Sequence, residues 1–475
     1  MDQEHRLSRI FYPRSVAVVG AKRENNYSWL RRALRFPGPI YNVNIDKTEW
    51  AGAEALGIKS YASLVDIPEP VDFVSVTVPA NVTPFVMQDC IDKGVIGVQM
   101  FTSGFSETGS ELGIELEEKI RKMAVDSGIL LVGPNCLGIY NPDTGFGDGR
   151  EEWEAGHIGF ISQSGIAANS FMAEAEDNGV PISKVVSMGN GIVLDSSDYL
   201  DYFEQDEQTR VVGMFLEGIR DGRAFYASLK KTAARKPVLV WKVGETEDSA
   251  RATASHSGST VGSQQVYEGL LTQCGAVKVD SAKEIIDTAT ILLNVPAMSG
   301  LNLGLYSISG GRATQMANYF SKQGFKIPLL SEISQVPMKE QYESPMINYN
   351  NPIESTSFNR LEEFAANVLD GLDQAEEIDA IVHEWSPQIG PTESEDAVLR
   401  EARLATMLSF AQRATKPYVV IIAERYPEAP ADVLSDISKR LLDAGVPVID
   451  GVERGAKALR NAYQYLSFRA DVGTE

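Results

Sequence analysis

Reactive chemistry in this chain concentrates at residues 248–263, DSARATASHSGSTVGS, where twelve of sixteen side chains are Ala, Ser, Thr or Gly and one titratable ring, His256, stands near the middle. So small-sided a stretch has little apolar surface to bury and little helical preference, which suits a loop. An imidazole carried there can act as a base, a metal ligand or a nucleophile, although a lone His in a polar loop is more often only solvated. A second constellation is Ser162-Gln163-Ser164-Gly165, which follows the apolar run from His157 and precedes a helical pattern from Ile166. Strand, short polar turn and helix together aim free backbone N–H groups and the positive helix end at one spot, as phosphate binding requires. An ordinary Ser N-cap would need the same residues. A third is Glu217, a carboxylate that closes the apolar run Val211–Leu216, with Asp221 placed to cap the helix beyond it.

The elements that would hold these groups read as alternating strands and helices. Apolar runs at 15–19, 71–78, 95–100 and 128–132 alternate with helical patterns at 82–93 and 113–127. Each run ends in small or special residues: Gly20, Pro79-Ala80, Ser103-Gly104 and Gly133-Pro134-Asn135-Cys136. This is a doubly wound parallel sheet with a row of such residues at its strand carboxyl ends, where a nucleotide site belongs. The lone Gly20 is a poor dinucleotide fingerprint, since no second or third glycine follows it. Strands at 157–162, 211–216 and 237–242 make a second α/β unit, and the His256 loop leaves the last of these before a helix at 264–274. Strands at 303–309, 380–384, 418–422 and 446–449 make a third, again with a glycine turn, Gly310-Gly311, before a helix.

The 475 residues fit about three domains, and 43% hydrophobic with 23% charged content is ordinary for a globular protein. The net charge of −22 argues against nucleic acid or an anionic membrane as a partner. No apolar run reaches membrane-spanning length, and MDQEHRLSRI has no signal-peptide core. Cys90, Cys136 and Cys274 are odd in number and scattered, so the cytoplasm is expected and a disulfide framework is not. The four histidines show no zinc spacing, and Cys136 and His383 read as packing residues.

Taken together, several strings resemble the NDP-forming acyl-CoA synthetases of the succinyl-CoA synthetase superfamily. SHSGS, with Lys242-Val243-Gly244 upstream and Val279-Asp280-Ser281 downstream, resembles their phosphohistidine loop. FYPRSVAVVGA, Val78-Pro79, TSGF at 102–105 and GPNCLGIYNP at 133–142 resemble their CoA-binding domain. The resemblance implies that Gly20, Lys22, Pro79, Ser103, Gly104 and Asn135 line the CoA pocket. It also implies that Ser164 and Gly165 hold the phosphoryl group at a helix start, and that Glu217 pairs with His256 as catalytic partner. Met188-Gly189-Asn190-Gly191 fits the family's VSxGN turn, with an architectural role, and Asn351-Pro352-Ile353-Glu354 approximates an NPxD motif without an assigned role. Where family members carry a further glycine after the first turn, this chain has Asn26, Tyr27 and Trp29.

The fold so implied is a Rossmann-like CoA-binding domain at 1–142, a flavodoxin-like domain with the phosphohistidine loop at 157–297, and a second flavodoxin-like ligase domain at 300–470. No stretch resembles the family's ATP-grasp half. The expectation is therefore an alpha subunit in a hetero-oligomer, taking a carboxylic acid or acyl-CoA and coenzyme A, with ATP or ADP and Mg²⁺ held by an ATP-grasp beta subunit. Two rivals are a non-catalytic CoA-binding regulatory protein, which would lack the His or its acid, and an acyltransferase-related module, which would need a fused acetyltransferase domain.

Overall fold

The computed structural model describes residues 5–147, 154–249, 251, 264–307, 309–341, 347–355, 361–385, 393–422 and 431–472. Three six-stranded sheets run through them, and their central strands are short runs rich in β-branched and apolar residues that are buried.

The first sheet contains β1 (Val16–Val19), β2 (Ile40–Val43), β3 (Lys59–Tyr61), β4 (Phe73–Val76), β5 (Gly97–Met100) and β6 (Leu130–Val132). Its order is β3-β2-β1-β4-β5-β6 with every pair parallel. The order reverses between β1 and β4, which opens a crevice at their carboxyl ends. The helix Glu111–Ser127 behind it begins where the Ser110 hydroxyl accepts the Gly113 N–H.

The second sheet comprises β7 (Gly138–Tyr140), β8 (Ile158–Ser162), β9 (Ile182–Ser187), β10 (Val211–Leu216), β11 (Val238–Lys242) and β12 (Val277–Val279), in the order β12-β11-β10-β8-β9-β7. β8 to β12 give the flavodoxin-like order 2-1-3-4-5, and β7 adds an antiparallel edge against β9. Asp221 caps the helix Gly222–Ala233 through the N–H groups of Arg223 and Ala224.

Both of these sheets lie in one compact unit that runs to Ala282 apart from Glu176–Val180. A single core passes from one to the other: Phe11 stacks on Tyr202 with centroids 4.3 Å apart, and Phe73, Ile139, Ile161 and Phe203 belong to the same buried cluster.

The third sheet lies in the second unit, which holds Lys283–Glu475. It contains β13 (Leu303–Ser307), β14 (Ile347–Asn348), β15 (Ile353–Ser355), β16 (Ala380–Trp385), β17 (Tyr418–Ile422) and β18 (Val448–Asp450), in the order β14-β15-β13-β16-β17-β18. This too is 2-1-3-4-5 with an antiparallel edge beside strand 2, although here the edge strand β14 directly precedes its neighbour β15 in the chain. The helix Ala282–Asn294 contributes to this unit, where Arg454 donates to Asp287 at 2.8 and 2.9 Å and Asn461 to Glu284 at 2.8 Å.

Candidate functional site

The residues expected to line a CoA pocket fall in a row along the carboxyl edge of the first sheet. Gly20 follows β1 with φ +92°, and a Cβ there would lie 2.7 Å from the Val78 Cγ1 beyond β4, so only glycine fits at the switch point. Pro79 is exposed and starts a short turn after β4. Ser103 and Gly104 follow β5, and Gly104 lies beside Ala80. Asn135 follows β6, and its N–H donates to the Thr102 carbonyl at 2.9 Å. Lys22 is exposed two residues past Gly20, and its carbonyl accepts the N–H of Tyr27.

The second cluster stands at the carboxyl edge of the second sheet. The Ser164 N–H donates to the Ser162 hydroxyl at 3.1 Å, and the Ser162 hydroxyl donates to the Ser164 carbonyl at 2.6 Å. This folds the turn tightly before the helix Gly165–Asp177, whose Ala167 N–H is capped by the Ser164 hydroxyl at 3.3 Å. Gly165 packs on Leu137, and Ile166 beside it is exposed. Ser164 is thus a helix N-cap, and a cap of this kind satisfies only one of the N–H groups at a helix start.

Glu217 is buried just past β10 and is tied to this turn. The Gln163 side-chain oxygen accepts the N–H groups of both Glu217 and Gly218, the latter at 3.0 Å, while its NH₂ donates to the Gly218 carbonyl at 2.9 Å. From the other side the Lys242 ammonium donates to the Glu217 carbonyl at 3.0 Å. Burial lowers the pKa of Lys242, against the opposing pull of Glu245 and Glu217. In the sequence Gln163 and Lys242 stand only as letters of the SQSG and KVG strings. Their amide and ammonium groups at strand ends are the available signal, but which backbone they grip depends on a partner 54 or 25 residues away. His256 lies outside the described residues.

A third group, Glu107, Glu117 and Asn190, was not singled out as a site. Glu107 accepts the N–H groups of Gly104 at 2.6 Å and Phe105 at 3.1 Å, which fixes the loop that carries Ser103. Burial opposes its ionisation, but hydrogen bonds from Asn190, Gly104 and Phe105 outweigh this and hold its carboxyl below the usual range.

Other reactive side chains are packed away. Cys136 is buried, its Sγ donating to the Met100 carbonyl at 3.4 Å, and burial pushes its thiol pKa up to about 12. His383 is held down to about 3 by burial and by the nearby Arg403, with Nδ1 2.8 Å from the Tyr418 hydroxyl. In the third sheet, Ser307 and Ser309 repeat the turn of Ser162 and Ser164, the Ser309 N–H donating to the Ser307 hydroxyl at 3.2 Å. Here the Ser307 hydroxyl also donates to the buried Glu384 at 2.6 Å, and Arg312 donates to the same carboxylate at 2.9 Å. Asn351 pairs with the backbone of β13 through Leu303 and Leu305, while the Glu354 carboxylate stands against Gly310 at the helix start. Among the described residues no group of three His, Cys, Asp or Glu could hold a metal ion, and no helix is long and apolar enough to cross a membrane.

Comparison with known proteins adds to this geometry. Residues 14–142 match the CoA binding domain family, and residues 155–292 match the succinyl-CoA ligase like flavodoxin domain family. The chain is 30% identical to the acetate–CoA ligase (ADP-forming) I subunit alpha of Pyrococcus furiosus over 98% of both chains. It is 34% identical, over 80% of its own length, to the acetate–CoA ligase (ADP-forming) I of Archaeoglobus fulgidus, of which it spans 55%. Among solved structures, the acetyl-coenzyme A synthetase 1 of Ca. Korarchaeum cryptofilum, in complex with phosphate and ADP, superposes with a TM-score of 0.84 at 28% identity and 98% coverage of each chain.

Proposed function

The chain belongs to the ADP-forming acyl-CoA ligase family, and on that premise we propose that it is the alpha subunit of an enzyme interconverting acyl-CoA, ADP and phosphate with carboxylic acid, coenzyme A and ATP. The observation that carries the reading is the Gln163 clamp, which ties the backbone at Glu217, a buried acid, to the turn at Ser164 and Gly165, our candidate anion seat at a helix start.

Coenzyme A would lie along Gly20, Lys22, Pro79, Ser103, Gly104 and Asn135, where the chain offers backbone and small side chains at the sheet's switch point. A phosphate oxygen attacks the acyl carbonyl and the CoA thiolate leaves, giving an acyl phosphate. The imidazole of His256 then attacks phosphorus and the carboxylate leaves. The phosphohistidine passes its phosphoryl group to the terminal phosphate oxygen of ADP. Glu217 holds the imidazole by one nitrogen so that the other faces phosphorus, and the backbone amides at Ser164 and Gly165 receive the phosphoryl charge. The nucleotide and its Mg²⁺ we assign to an ATP-grasp beta subunit. Support for a partner comes from a relative that is called a subunit alpha and from another of which this chain spans 55%. The compartment we propose is the cytoplasm, in keeping with three buried, unpaired cysteines.

The test reconstitutes the chain with its partner, ATP and Mg²⁺. An acid-labile, base-stable phosphoryl label is expected on the chain and absent from His256→Ala, and calorimetry on the chain alone should give heat for coenzyme A and none for ATP. A label that survives His256→Ala, or tight ATP binding by the isolated chain, would refute the assignment.

A further inference from the structure

The turn Met188-Gly189-Asn190-Gly191 takes no part in the chemistry above, yet its one polar side chain, Asn190, reaches into the loops around the coenzyme A crevice. Asn190 follows β9 in the second sheet, and its NH₂ donates to Glu107 at 2.8 Å and to Glu117 at 2.9 Å. Its side-chain oxygen accepts from the Asn135 NH₂ at 3.4 Å, and its own N–H donates to the Pro134 carbonyl at 3.0 Å. Gly189 beside it admits no side chain, since a Cβ would lie 2.2 Å from the Pro134 oxygen and 2.3 Å from that of Asn135.

Two carboxylates share this one amide, and each fastens a different part of the loop after β5. Glu107 takes the N–H groups of Gly104 and Phe105, while Glu117, from the helix Glu111–Ser127, takes the Ser106 hydroxyl at 2.7 Å. An amide NH₂ has two donors, so it can satisfy both and keep like charges apart at once. Without it, the buried Glu117 and the half-buried Glu107 would lose the donor they share.

We propose that Asn190 is a positioning residue for the acyl-CoA half of the reaction, holding the Ser103–Phe105 loop and Asn135 in the geometry that half requires. The role rests on the function proposed above. It assigns the second sheet a task distinct from the phosphoryl seat: the same layer that carries Ser164 and Glu217 also sets the shape of the crevice in the first sheet. Two ionisable groups face Asn190, Glu107 from the loop and Glu117 from the helix, and both are acids, so what the amide supplies is specifically a pair of donors.

The experiment uses the reconstituted complex and labels the chain from either end of the reaction, by ATP with Mg²⁺ or by acetyl-CoA with inorganic phosphate. Asn190→Ala should slow labelling from acetyl-CoA and raise the KM for it, with a loss on the order of 10- to 100-fold, while labelling by ATP is unchanged. Asn190→Asp should show the same split at neutral pH but regain acetyl-CoA labelling relative to the parent as pH falls, because the introduced carboxyl then carries a proton it can donate. Equal slowing of both labelling reactions, no slowing of either, or an Asn190→Asp profile parallel to the parent's would overturn the role. If the parent takes label from neither donor, the functional reading itself fails, and this role with it.

Discussion

Replacing Gln163 with Leu isolates the contact between the turn before the helix Gly165–Asp177 and the backbone at Glu217 and Gly218. The side chain makes three hydrogen bonds to the Glu217-Gly218 turn, one of them from the Glu217 N–H. Leu fills similar space but restores none of them, leaving two buried N–H groups and a carbonyl without that partner. At about 1 kcal/mol net for each bond, the turn loses about 3 kcal/mol of restraint. If that restraint is what keeps Glu217 aligned, phosphoryl transfer should fall by about 10²-fold. Lys242 still grips the Glu217 carbonyl, so the turn loosens rather than unfolds. Gln163→Glu serves as the companion: its carboxylate still accepts both N–H groups but cannot donate to Gly218, and it adds a negative charge beside Glu217 and the incoming phosphoryl group. It should therefore be at least as slow as Gln163→Leu despite keeping two of three contacts. Rapid-quench measurement of the phosphorylated chain, with CoA affinity as a fold control, decides this. A parental transfer rate in Gln163→Leu would refute the argument that the clamp orients Glu217.

Three further outcomes follow. If Glu217 is the acid partner of His256 as proposed, Glu217→Gln preserves shape but removes that acid, so phosphorylation should slow on the order of 10²-fold with CoA binding retained, again by rapid quench. Gly20→Ala must take φ +92° and meet Val78, so thermal unfolding should show a loss of about 1–2 kcal/mol from backbone strain alone, with weaker CoA binding by calorimetry. Because the Glu107 pKa is depressed in the folded chain, its contribution is complete above the usual carboxyl range and is lost as pH falls through the lowered value. CoA affinity, titrated against pH, should thus hold through mildly acidic conditions and drop only in stronger acid, and Glu107→Gln should remove that acid limb.

Much of the architecture is legible in the chain because each principal strand is an apolar run that stops at a small residue, as β1 does at Gly20 and β8 does before Ser164. Shorter or more polar strands escape that signal: β2, β3 and β9 carry Asn, Lys or Ser within them, and their apolar neighbours do not form a longer run. The edge strand β7 is hidden differently. Its three residues continue directly from the loop that ends the first sheet, and only the pairing with β9 assigns it to the second. Among the sites, residues fixed by local backbone needs, such as Gly20 and Ser164, could be marked from their positions. The contacts of Gln163, Asn190 and Glu107 could not, since they join segments 54 and 83 residues apart, and a polar residue beside a strand end does not say which distant backbone or side chain it will meet.

That edge strand bears on how the molecule comes apart. β7 gives its backbone to β9, while the Ile139 N–H donates to the side chain of Gln99 in β5 at 2.9 Å. Peeling the first sheet from the second would thus strip a ladder and orphan a buried amide, and it would open the aromatic cluster of Phe11, Tyr202 and Phe203. Two sheets that read as separable modules in the sequence should therefore unfold together, as one calorimetric transition rather than two.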